Sequence, residues 1–132
     1  MVTHQSCIVS SERKSVFIVE PDQAVQDGLR ALIGELNVSV RCYDSAVQFM
    51  ADLDKQPEMH GCVLAEVDLP GLDTFEMLRR LRNYGPAIPV IVLLNRASEQ
   101  FAQRALDAGA AEVINKPLLH NRLLESVEQL LR

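Results

Sequence analysis

The sequence predicts an α/β fold built on a doubly wound parallel sheet. Two observations carry that expectation. Five short, nearly continuous apolar runs recur along the chain, and a helical 3.6-residue pattern follows each of them. Runs of this kind suit strands buried on both faces, and strand–helix alternation repeated five times implies parallel pairing with helical crossovers. The 132 residues fit one domain with one core region.

The elements follow in order. Residues 1–14 hold only Ile8 and Val9 as a short apolar stretch, too little for a signal-peptide core, and read as a flexible lead-in to a domain over 15–132. The first strand is Ser15–Val19. Asp22 can cap a helix whose stripe is Val25, Leu29, Leu32, Ile33 and Leu36. The second run, Val38–Tyr43, alternates more than the others, as an edge strand would. Ser45 can cap the second helix, with Ala46, Phe49, Met50 and Leu53 inward. The third strand is Gly61–Ala65, and Asp73 or Thr74 opens a helix with Phe75, Leu78 and Leu81 on its stripe. The fourth strand is Pro89–Leu94. Ser98 opens the fourth helix, with Phe101, Ala105 and Leu106 on its stripe, and Gly109 stops it. The fifth strand is Glu112–Ile114, and the last helix runs from about Leu119 to Leu131.

Composition removes several function classes. A net charge of −5 argues against a nucleic-acid surface, which wants clustered Lys and Arg; here Arg79, Arg80, Arg82, Arg96 and Arg104 are interspersed with acids. No apolar run approaches the ~18 residues of a membrane span. Three cysteines (Cys7, Cys42, Cys62) without a CxxC spacing read as reduced thiols of a cytoplasmic protein. His4, His60 and His120 read as surface residues, and no nucleophile–base pair suggests an independent enzyme. A small-molecule-binding domain lacks support too, because Glu20-Pro21-Asp22 is no Gly-rich phosphate loop.

In doubly wound sheets the binding site forms at the carboxyl ends of the strands. Those ends carry Val-Phe-Ile-Val-Glu-Pro-Asp (16–22), Glu-Val-Asp-Leu-Pro-Gly-Leu-Asp (66–73), Ile-Pro-Val-Ile-Val-Leu (88–93) and Gly-Ala-Ala-Glu-Val-Ile-Asn-Lys-Pro (109–117). In order and spacing this set resembles the receiver domains of two-component response regulators, over about residues 15–132. The match looks closest to receivers that precede a helix-turn-helix output domain. The resemblance implies a flavodoxin-like (βα)5 sheet of strand order 2-1-3-4-5. It also implies a chemistry: an Asp ending strand three accepts a phosphoryl group from a histidine kinase. An acidic pair after strand one holds Mg²⁺ with it. A Ser or Thr after strand four and a Lys after strand five bind the phosphoryl oxygens. Such transfer works by positioning and charge neutralisation around a hard cation.

Position by position, this sequence departs from that pattern. Glu66 stands at the acceptor position; it is one methylene longer than Asp, and a misplacement of about 1 Å costs about a hundredfold in rate. Glu20 and Pro21 stand at the acidic pair, and Pro21 has no side-chain ligand. Leu94 stands at the hydroxyl position. Lys116 is kept, and Val113 replaces the aromatic residue that often toggles on strand five. A divalent-metal cluster of Glu20, Asp22, Glu66 and Asp68 is weighed against a plainer reading, in which Asp22 caps a helix and Asp68 is a loop acid. Mg²⁺ is not expected. Glu66 with Lys116 reads either as a salt bridge neutralising a buried carboxylate or as a permanent charge that fixes an active-like state.

The expectation is therefore a degenerate receiver, a pseudo-receiver that acts in signal transduction through a protein partner or a second copy of itself. The alternative is a working phosphoacceptor with unusual acids that controls a transcriptional output domain. The family implies a dimer through the face of helix four, strand five and helix five. On that face the interface candidates are Phe101, Ala105, Val113, Leu119 and Leu123.

Overall fold

A computed structural model of the chain describes residues 14–56, 58–66, 74–83, 88–94, 99–116 and 120–132. Its elements run in the expected alternation: β1 (Ser15–Val19), α1 (Gln23–Ile33), β2 (Ser39–Tyr43), α2 (Ala46–Lys55), β3 (Gly61–Glu66), α3 (Thr74–Leu81), β4 (Val90–Leu94), α4 (Glu99–Ala108), β5 (Glu112–Asn115) and α5 (His120–Leu131). All five strands pair in parallel, in the order β2-β1-β3-β4-β5.

The strand period of two splits each apolar run between two layers. Phe17, Val19, Val63, Ala65, Val90, Val92 and Leu94 face α2, α3 and α4, where Phe49, Leu53, Phe75, Leu78 and Ala105 complete one core. Val16, Ile18, Cys62, Leu64, Ile91, Leu93 and Ile114 face α1 and α5, packed by Leu29, Ile33, Leu123 and Val127. Cys62 behaves as the small hydrophobe its run suggests, and burial pushes its thiol up to about 12. β2 is the half-exposed edge that its alternation announces.

Side-chain chemistry fixes the helix ends. Asp22 Oδ1 accepts from the Ala24 and Val25 amides at 2.8 and 3.3 Å, and Ser45 Oγ accepts from the Gln48 amide at 3.2 Å. Gly109, at φ +119, closes α4: its amide donates to Leu106 O and that of Ala110 donates to Ala105 O. Asp73 and Ser98, the other expected caps, lie outside the described residues. Three expectations shift. α1 ends at Ile33, and Leu36 sits in a 3₁₀ turn, Gly34–Leu36, closed by Asn37 in the left-handed region. Leu106, assigned to the inward stripe of α4, is 43% exposed. Lys14, counted with the lead-in, donates Nζ to the carbonyls of Leu131 and Arg132, where the end of α5 favours a cation; residues 1–13 lie outside the described residues. No helix among the described residues is long and apolar enough to cross a membrane.

Candidate functional site at the carboxyl end of the sheet

The strand register brings Glu20, Glu66, Leu94 and Lys116 to one end of the sheet. Glu66 is the last residue of β3, held where its side chain is only 6% exposed. Its backbone carbonyl accepts from the Thr74 hydroxyl, which ties the end of β3 to the first turn of α3. Lys116 follows β5, and its amide donates to Leu94 O at 2.7 Å, anchoring it to the end of β4. From there its Nζ donates to Glu66 Oε1 in an ion pair that is mostly shielded from water. A buried carboxylate needs such a partner, because an unpaired charge in that setting costs several kcal/mol, roughly 3–5 when one partner is removed.

Leu94 is 2% exposed and belongs to the α2–α3–α4 core. Its side chain is spent on packing and offers no hydrogen bond to a ligand. Pro21 is exposed and offers no side-chain donor or acceptor.

Glu20 is 4% exposed. One oxygen, Oε2, accepts from the Asp22 amide at 3.0 Å, while Oε1 is buried without a hydrogen-bond partner among the described residues. Burial is the main cause that raises its pKa above the usual carboxylate value; the negative charge of Glu66 adds to the rise, while the Asp22 amide and the Lys116 ammonium oppose it. Its backbone carbonyl accepts from Gln26 Nε2 at 2.6 Å, and the same amide group donates to Asp44 Oδ1 at 3.0 Å. Gln26 therefore laces the ends of β1 and β2 together. The sequence reading passed over it, although its spacing to Leu29 and Ile33 puts it on the buried face of α1.

The described donors do not fit Mg²⁺. Asp22 is occupied with capping α1, Pro21 supplies nothing, and Glu66 is neutralised by Lys116. Among the buried side-chain oxygens of the described residues, Glu20 Oε1 alone lacks a hydrogen-bond partner, against the several oxygen ligands an octahedral cation demands. Among the described residues no group of three or more candidate ligands comes together. Asp68 lies outside the described residues, as do Pro70, Gly71, Asn95 and Pro117.

The interface candidates separate sharply. Ala105 and Leu123 are both 0% exposed and sit in the two cores, so neither can meet a partner. Ala105 is small enough to let α4 approach the sheet, and Leu123 lies on the central line of the α5 stripe. Leu124, Leu130 and Leu131 also pack against that core, so the wide α5 stripe is largely spent on the sheet. Val113 is half-buried against the opposite core. Leu119 lies outside the described residues. Phe101, at 40% exposure, remains on the surface, joined by Leu106.

Comparison with known proteins agrees with this architecture. The family model described as response regulator receiver domain matches residues 16–128. The response regulator protein TodT of Pseudomonas putida is 30% identical over 123 residues, which are 92% of this chain and 53% of that protein. The transcriptional regulatory protein FixJ of Bradyrhizobium diazoefficiens is 29% identical over 118 residues, 89% of this chain and 56% of that protein. The chain thus spans about half the length of the curated relatives it matches. Among solved structures, the response regulator StyR superposes with a TM-score of 0.79 at 31% identity, over 90% of this chain and 59% of that one. The N-terminal part of FixJ superposes with a TM-score of 0.79 at 26% identity, over 88% and 91%. A five-stranded sheet in the order 2-1-3-4-5, a lysine after β5 facing an acid that ends β3, and a family match over most of the chain lead to one assignment: the chain belongs to the receiver-domain family of two-component response regulators.

Proposed function

We propose that this receiver domain signals by binding a protein and does not take up a phosphoryl group. The observation that carries the reading is the state of Glu66: a carboxylate at the acceptor position, buried and already paired with Lys116. The cation that would serve an incoming phosphoryl group is spent on a permanent negative charge. Leu94, buried in the core, adds no hydroxyl to receive phosphoryl oxygens, and the acids beside it do not compose a cation site among the described residues. Isothermal titration with Mg²⁺ tests this half; the expected result is no saturable heat at millimolar cation, and a stoichiometric site would argue for the phosphoacceptor reading.

The binding surface we favour lies on α4 and the neighbouring edge of the sheet. Phe101 stands out as a large apolar side chain exposed on α4, and an isologous contact would cover both copies of it at once. Light scattering against concentration tests self-association. A dimer that Phe101→Asp weakens supports it, while a strict monomer at high micromolar concentration leaves only a different partner. The matched segment is only 56% of the relative named as a transcriptional regulatory protein, FixJ, so control of transcription would require sequence outside these 132 residues.

A further inference from the structure

A cleft of about 310 Å³ opens between α3 and α4. It is lined by Phe75, Arg79, Arg82, Arg104, Asp107 and Ala108. Three arginines against one carboxylate is an inversion of charge in a chain of net charge −5. The volume lies at the lower end of small-molecule sites, about 300–1,000 Å³.

The arginines are held in place. Arg104 stacks its guanidinium over the Phe75 ring, 4.4 Å from the centroid, and lies 5.7 Å from that of Phe101. Arg82 donates Nη2 to Asp107 O at 2.7 Å, in the last turn of α4. It lies so close to Gly109 that a Cβ there would come within 2.9 Å of Arg82 Nε. Arg79 is steadied by Glu76 Oε1, at 3.2 Å from Nε and 2.8 Å from Nη2. Asp107 Oδ1 takes the Gln103 amide at 2.8 Å. Among the described residues neither Arg82 nor Arg104 has a carboxylate within salt-bridge distance. Guanidinium groups fixed by stacking and by carbonyl contacts, yet without a counter-charge, are suited to a ligand bearing several anionic oxygens, since little side-chain freedom remains to be lost on binding.

The geometry points to a second site, in the α3–α4 cleft, for a small phosphate-bearing anion held by Arg82 and Arg104 with Arg79 at the rim. Bidentate contacts to phosphate oxygens would come from the guanidinium edges, and the outer face of the exposed Arg104 guanidinium, backed by the buried Phe75 ring, offers a surface on which a planar ring can stack. The site shares no residue with the Glu66–Lys116 pair, so it stands or falls independently of what that pair does.

The experiment is a titration of the domain with inorganic pyrophosphate and with ADP, followed by amide NMR shifts and by calorimetry. Saturable one-to-one binding is expected, weakening with added salt, with shifts confined to 74–82 and 99–110. Arg82→Gln/Arg104→Gln should weaken it by about tenfold or more, the scale of one charge-assisted contact. Arg30→Gln/Arg122→Gln removes equal charge elsewhere and should leave it unchanged. Thermal melts of both doubles check that they fold, as all four side chains are exposed. Tighter binding of ADP than of pyrophosphate assigns the ring to the outer face of Arg104; equal affinity assigns the cleft to phosphate groups alone. Absence of saturation at millimolar ligand, equal loss in both doubles, or shifts centred on Lys116 would overturn the proposal.

Discussion

At the amino end of the sheet the fit is purely steric. Gly61 opens β3 at φ +149, and a Cβ placed there would meet Ser15 O at 1.8 Å. At the carboxyl end the strands lead into Glu20, Glu66 and Lys116, two buried carboxylates of which Glu66 alone is paired with the ammonium. The first end shows close backbone approach with little chemistry. The second carries polar groups that an apolar replacement would spare the fold, with Glu20 Oε1 left unpartnered among the described residues. Groups that cost stability concentrate at the end of the sheet where the proposed function places the altered acceptor position.

Mutations at the two ends should differ in kind. Gly61→Ala is expected to have the largest effect: the clash is with backbone, no side chain can yield, and the positive φ adds strain. Expression with circular dichroism checks it, and the expected outcome is little or no folded protein. Lys116→Met comes next. It strands Glu66, whose side chain is 6% exposed, and should lower unfolding free energy by about 3 kcal/mol, at the low end for a broken buried pair because Lys116 is itself 22% exposed. Urea denaturation measures it; a change below about 0.5 kcal/mol would show that the pair is in effect solvated.

Glu20→Gln should have the smallest effect and the opposite sign. The Glu20 pKa is raised in the folded chain, chiefly by burial, so the fold holds its proton more tightly than the unfolded chain does. Its contribution is fully present below the ordinary carboxylic-acid pKa and is lost as pH rises through the folded value. The variant should therefore gain on wild type as pH rises through that window, by about 1 kcal/mol or less. Paired denaturation curves from pH 4 to 8, taken with about equal ionic strength, measure the difference; a gap that stays constant with pH would contradict the assignment.

Much of this was legible beforehand, for physical reasons. Apolar runs with turn chemistry between them specify a parallel sheet, and Asp22, Ser45 and Gly109 mark helix ends because their backbone and capping chemistry is local. The approach of Glu66 to Lys116 was implied by the resemblance of their motifs to the receiver family. Which leucines face water was not. Leu106 and Leu123 look alike in sequence, yet one is 43% exposed and the other 0%, because the outcome depends on how far each helix rolls against the sheet. The Arg82–Arg104 cleft was hidden for a similar reason: interspersed arginines read as a solvated face until two helices bring them together.

The central claim is that the acceptor position is chemically closed. Intact-mass spectrometry after incubation with Mg²⁺ and acetyl phosphate tests it most directly, at neutral pH without acid quench so that an acyl phosphate would survive. The wild-type chain is expected to keep its mass unchanged. A gain of one phosphoryl group, abolished by Glu66→Gln, would contradict it and establish a working phosphoacceptor.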